Sequence, residues 1–218
     1  MRVADVRPAR RRRTRGWLTL GTAALSAVAL TGCTLATSAT TDPPRTDTYP
    51  GVATVVLDVD DLGAKQIGST SAAVHAHVTG GDRDEVQVDR TMEYTEGDRP
   101  EEHIEQAGDT LTITTTCPER WAVGAPTCHA AYAIRVPYGT TVRAANHHGD
   151  LTAEDTRGEV ELRSRDGDIT VTVPAGETGY AVTATSQEGE ATVDVPQDRG
   201  GVPIRIASAT GDVAVRQR

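Results

Sequence analysis

A twelve-residue unit occurs four times in the second half of the chain, at residues 142–153, 160–171, 182–193 and 204–215. Each copy reads apolar, any residue, small or apolar, any residue, Asn or Ser, two further residues, then Gly, Asp or Glu, apolar, any residue, apolar. The glycines Gly149, Gly167, Gly189 and Gly211 are 18, 22 and 22 residues apart, a spacing typical of stacked-repeat architectures. Apolar residues alternate on both sides of each glycine, the pattern of two strands joined by a turn. In the second copy, Val160, Leu162, Ser164, Ile169, Val171 and Val173 share one face. Glu161, Arg163, Arg165, Asp168, Thr170 and Thr172 share the other. Glycine supplies the positive φ expected of the turn. One unit cannot bury its apolar face alone, so neighbouring units must cover it. Rungs stacked about 4.8 Å apart would do so. So would hairpins, which Asp-Gly turns favour. The chain has no Phe and only 3% aromatic residues. A core of Val, Ala and Thr is thin, which favours stacked rungs. The expected fold class is therefore all-β, a β-solenoid or β-helix-like stack, with a hairpin meander or sandwich as the alternative.

The first half alternates with the same period. Strands are expected at 52–59, 73–78, 85–94, 110–116 and 130–136. Residues 100–105 are the one short helical candidate, and fit a strand equally well.

The N-terminus is an address and not part of the fold. Seven of the 22 basic residues and one of the 31 acidic residues lie in residues 1–32, leaving the remainder at a net charge of −15. That balance argues against nucleic-acid binding and against a basic membrane-surface patch. An apolar run at 17–30 follows the arginines. As a helix it would rise about 21 Å, short of the roughly 30 Å hydrocarbon core. It ends in Leu30-Thr31-Gly32-Cys33, which resembles the lipobox of bacterial lipoproteins. The resemblance implies cleavage before Cys33 and acylation of that residue, which would anchor the chain on the outer face of the cell membrane. The expected organisation is a signal peptide at 1–32, a lipidated cysteine and flexible tether at 33–50, and an all-β repeat domain at 51–218. The arginines do not precede an apolar pair, so general secretion is favoured over twin-arginine export.

Outside the cytoplasm, Cys117 and Cys128 are expected to form a disulfide. A metal pair completed by His129 is the rival, but its spacing fits no usual zinc pattern. Trp121, between the cysteines, is expected to cap the core.

The Gly-Asp-apolar turns, together with the segment from Cys128-His129-Ala130-Ala131-Tyr132 to Val136-Pro137, are similar to the bacterial putative-adhesin β-strand-repeat family. The resemblance covers about residues 52–215. It implies a β-helix-like fold in secreted or lipid-anchored proteins.

Several residues are candidates for chemistry. In register, Asp150, Asp168, Glu190 and Asp212 would form a carboxylate column able to attract Ca²⁺ or a basic partner. The favoured reading has these acids hydrogen-bonding the turn backbone. Asn146, Ser164, Ser186 and Ser208 would form a second column that seals the turns. His75 with His77, and His147 with His148, are metal-pair candidates lacking a third ligand fixed by spacing. Asp166, Asp168, Arg163 and Arg165 have the residue types of a β-helix polysaccharide enzyme, but no nucleophile or phosphate-binding motif accompanies them. No catalytic residue, metal or cofactor is therefore assigned. The expected function is non-catalytic binding or scaffolding, with an envelope protein as the first partner and wall glycan or an external surface as the second.

Overall fold

The computed structural model describes residues 38–60, 71–118, 127–176 and 179–218. Within the unit Ala36–Arg218 the described chain is all-β. The strands are β1 (Ala39–Thr41), β2 (Arg45–Pro50), β3 (Thr54–Asp60), β4 (Ser71–Gly81), β5 (Glu85–Thr95), β6 (Glu101–Ala107), β7 (Thr110–Thr116) and β8 (Thr127–Pro137). They continue as β9 (Thr141–His148), β10 (Leu151–Glu154), β11 (Val160–Asp166), β12 (Ile169–Val173), β13 (Tyr180–Glu188), β14 (Ala191–Asp194), β15 (Val202–Thr210) and β16 (Val213–Gln217). The helical candidate at 100–105 is strand β6.

Two mixed sheets contain these strands. The larger has the order β1-β5-β8-β4-β10-β12-β16-β14, with β2 also paired to β5. The smaller has the order β13-β15-β11-β9-β3-β7-β6. Pairing is parallel from β8 to β14 and from β13 to β7. It is antiparallel at the β5 and β6 margins.

The four copies align as their sequences do. Val142, Val160, Ile204 and Val182 form one row across the smaller sheet. Ala144, Leu162, Ile206 and Ala184 form the next, and Asn146, Ser164, Ser208 and Ser186 the third. Leu151, Ile169, Val213 and Ala191 continue the apolar face in the larger sheet. The six residues expected inside in the second copy, Val160, Leu162, Ser164, Ile169, Val171 and Val173, are all buried. Parallel sheets are stable when each inner face is covered, and here each sheet covers the other.

The solenoid expectation needs correcting. Along both sheets the copies occur in the order third, fourth, second, first. A coil whose rungs follow the chain is not formed, and the sandwich alternative is the one that fits. The physical reason is that all copies present the same face, so the pattern does not dictate which copy covers which. The turns also differ from hairpin turns, because the two strands of a copy lie in opposite sheets.

Within the tether expected at 33–50, residues 39–41 and 45–50 are strands. Ala39, Thr40 and Thr41 pair with Thr95, Tyr94 and Glu93, and residues 45–50 pair with 85–90. Composition suggested a linker, but the bare edge of β5 supplies backbone partners. Side chains then pin the added strands: Thr46 Oγ1 donates to Asp89 Oδ1 at 2.6 Å, and Arg90 Nη1 to Asp47 Oδ2 at 2.6 Å.

Candidate functional site

The repeat turns lie side by side, and their polar residues form two directional ladders. The first runs along the acids. The backbone N–H of Asp150 donates to His75 Nδ1 at 3.1 Å. Asp168 N–H donates to Asp150 Oδ1 at 3.0 Å, Asp212 N–H to Asp168 Oδ1 at 2.8 Å, and Glu190 N–H to Asp212 Oδ1 at 2.8 Å. Asp150, Asp168 and Asp212 therefore each accept the amide of the next turn, and His75 occupies the acid's place at the start. The second ladder is internal. Asn146 Nδ2 donates to the Val74 and Gly149 carbonyls at 3.0 and 2.8 Å. Ser164 reaches the Gly149 carbonyl at 3.3 Å, Ser208 that of Gly167 at 2.9 Å, and Ser186 that of Gly211 at 2.7 Å. The carboxylate column thus serves the turn backbone, although each bond crosses to the neighbouring turn and does not stay within its own.

The glycines make this spacing possible in a way the sequence did not suggest. Of the four, Gly149 and Gly211 have positive φ, at 117° and 132°. All four share a close approach. A Cβ on Gly149, Gly167, Gly189 or Gly211 would lie 2.3, 2.0, 2.3 or 2.4 Å from a backbone carbonyl oxygen of the adjacent rung.

The histidines are distributed among different carboxylates. His75 lies 3.7 Å from Asp150 and His77 lies 3.6 Å from Glu154. His148 pairs with Asp166 on the neighbouring strand at 3.1 Å, not with Asp150. Among the described residues, no three His, Cys, Asp or Glu side chains converge as a metal-ligand set. Arg163 pairs with Glu161 at 2.6 Å. His75 and His77 border an open recess of about 620 Å³ on the outer face of the larger sheet. Ala131 and Ala133 are its floor, with Thr91 and Asp89 opposite the histidines.

Two solved structures resemble this chain. One is a putative cell adhesion protein from Clostridium sporogenes, with TM-score 0.47 and 9% identity, covering 81% of this chain and 100% of that one. The other is a putative adhesin from Parabacteroides distasonis, with TM-score 0.29 and 12% identity, covering 82% of this chain and 70% of that one. No family profile matches, and neither does any curated protein sequence. Nothing is transferred to this chain from likenesses of this size.

A polar cluster that the sequence reading missed lies where β1 and β2 join β5. Arg99 donates to Asp42 Oδ2 through Nε at 3.1 Å and Nη2 at 2.7 Å, and the Tyr94 hydroxyl donates to Asp42 Oδ1 at 2.9 Å. These contacts hold the Asp42 carboxyl below its ordinary value. Thr46, then Gln87 and Arg135, do the same for Asp89. Arg90 lies 2.7 Å from Glu102 as well as bonding Asp47. Burial works against its charge, but the two carboxylates prevail and raise its pKa. The Tyr132 hydroxyl donates to Glu102 Oε1 at 2.8 Å, so Thr115, 2.6 Å away, must donate to Tyr132. Burial pushes the Tyr132 phenol well above its ordinary value. No local sequence signal marks this cluster, because its members lie on β2, β5, β6, β7 and β8 and in the β1–β2 and β5–β6 connections.

Cys117 and Cys128 form a disulfide, so the thiolates required by the metal reading with His129 do not exist. Tyr132 and Tyr180 are buried, Tyr49 and Tyr94 pack against the core, and Arg157 lies over the Tyr138 ring at 4.1 Å. Cys33 and Trp121 fall outside the described residues.

Proposed function

We propose that this chain is an extracytoplasmic lipoprotein, anchored through acylated Cys33 on the outer face of the cell membrane, whose sandwich domain binds or scaffolds an envelope protein without catalysis. One observation carries the non-catalytic reading. Asp150, Asp168, Asp212 and the serine hydroxyls of the repeats, the residues with most chemical potential, are engaged in holding adjacent turns together. Their sequestration in a rigid framework suits a binding surface. The outer recess beside His75 and His77 is its contact candidate. Strand β1 begins at Ala39, so a lipid on Cys33 would act on the domain at its β1/β2 margin.

Glycan binding is the second reading. Sugar sites favour exposed aromatic rings, and the placement of the tyrosines supports a protein partner over a glycan. An enzyme acting on wall polymer would need Asp166 and Asp168 as its reactive pair. Asp166 is paired with His148, and Asp168 accepts the Asp212 amide.

Cross-linking in the intact envelope tests the reading. One dominant membrane protein is expected, with capture reduced by His75→Ala/His77→Ala. Capture of wall polymer alone would replace the protein-partner reading with the glycan one. Cys33→Ala is expected to stall processing or release the protein from the membrane fraction. Normal processing with unchanged membrane retention would refute lipidation.

A further inference from the structure

The two sheets end differently at their margins. Strand β6 carries Glu101, Glu102 and Glu105, and β2 carries Arg45, Asp47 and Pro50. Charges and proline of this kind keep an edge strand from pairing further. Strand β13 is the outer strand of the smaller sheet at the other end. It has no charged residue from Tyr180 to Gln187. Among the described residues, a bridge to Gln197 covers the edge at Tyr180 alone.

The rung made by β13 and β14 is also incompletely covered. Val182, Ala184 and Val193 are only partly buried, whereas their partners Ile204, Ile206 and Val215 in the next rung are buried. The acid ladder is directional and stops here. Asp150, Asp168 and Asp212 each accept the amide of a following turn, whereas Glu190, the last acid, accepts none among the described residues. Glu188 and Glu190, both exposed, make the turn end of β13 acidic. A strand added here would gain backbone bonds, cover the apolar inner positions and supply the missing donor.

We propose that the β13 edge is a strand-addition site for an extended segment of a protein partner, alternating apolar residues with Lys or Arg. The apolar residues would lie over Val182 and Ala184, and a basic residue at the turn end beside Glu188 and Glu190. A second copy of this chain is a poor occupant, because the chain beyond residue 32 carries a net −15 and two such bodies repel. The inference stands apart from the lipoprotein reading, since it concerns isolated protein and not the envelope.

The test uses the full-length protein in detergent and a blocked nine-residue peptide alternating valine and lysine. Saturable binding is expected, with slowed amide hydrogen exchange over residues 182–188. Binding should weaken at least tenfold in Glu188→Lys/Glu190→Lys, which alters exposed side chains. It should also be lost when alternate peptide amides are N-methylated, a change that leaves the protein untouched. Binding that survives N-methylation would mean charge attraction alone and overturn the proposal. So would protection confined to β2, β6 or the outer recess, the absence of binding at millimolar peptide, or a protein dimer that shields β13 by itself.

Discussion

At the residue scale, close approach is the requirement common to the four turn glycines. Gly167 lacks positive φ, yet its missing side chain leaves room for the Gly149 carbonyl of the next rung. The contact is backbone, which cannot swing aside as a flexible side chain can. Gly167→Ala is expected to destabilise the domain by about 3 kcal/mol, because rungs must separate to relieve the clash. Gly139, with nothing within 4 Å of its Cβ position and no positive φ, provides the comparison. Gly139→Ala should change stability by less than about 0.5 kcal/mol. Denaturant unfolding of both variants checks the contrast, and equal effects would argue against close approach as the reason for glycine. Ser164, Ser186 and Ser208 then seal the stacked turns by donating to carbonyls of the adjacent rung, each such bond being worth on the order of 1 kcal/mol.

At the element scale, β1 and β2 depend on charged side chains more than on burial. Their residues are mostly exposed, so packing contributes little. Asp42 and Asp89 have depressed pKa values. The sign follows from linkage: a depressed folded-state pKa stabilises the fold above the unfolded value and ceases to do so as pH falls through the folded value. That support is fully present at neutral pH and is lost below the ordinary aspartate value of about 3.9. Amide hydrogen exchange should therefore show residues 39–50 losing protection on acidification before the β9–β12 rungs do. Simultaneous loss would mean that the margin and the repeats unfold as one. Asp42→Asn should move the loss of protection at 39–41 to higher pH.

At the scale of the whole molecule, the Cys117–Cys128 bridge links the end of β7 in the smaller sheet to the start of β8 in the larger. The two residues are 11 apart in sequence. Closing a loop of that size is worth about 2–3 kcal/mol in the chain-entropy model. Reduction, or Cys117→Ser/Cys128→Ser, should then lower Tm by roughly 5–10 °C for a domain of this size. Calorimetry of oxidised and reduced protein measures it, and an unchanged Tm would show that the two sheets hold this connection closed without the bond.

The period-2 pattern was enough to place the strands from β7 to β16 and, in the second copy, the side that faces inward, because alternation reports burial directly. The Ser and Asn column and the role of the turn acids were legible for the same reason: equivalent positions in stacked copies must be neighbours. The disulfide was expected from two cysteines in a chain read from its N-terminus as exported. Order along the stack was not legible, since identical faces stack equally well in any sequence, and only the tertiary structure places the fourth copy between the second and third. The strands at 39–41 and 45–50 were hidden because their partners on β5 lie 35 to 56 residues away and local composition resembles a linker. The cluster of Asp42, Arg90, Arg99, Glu102 and Tyr132 is likewise a product of topology. Its members have no common spacing, and only the convergence of distant strands makes them neighbours.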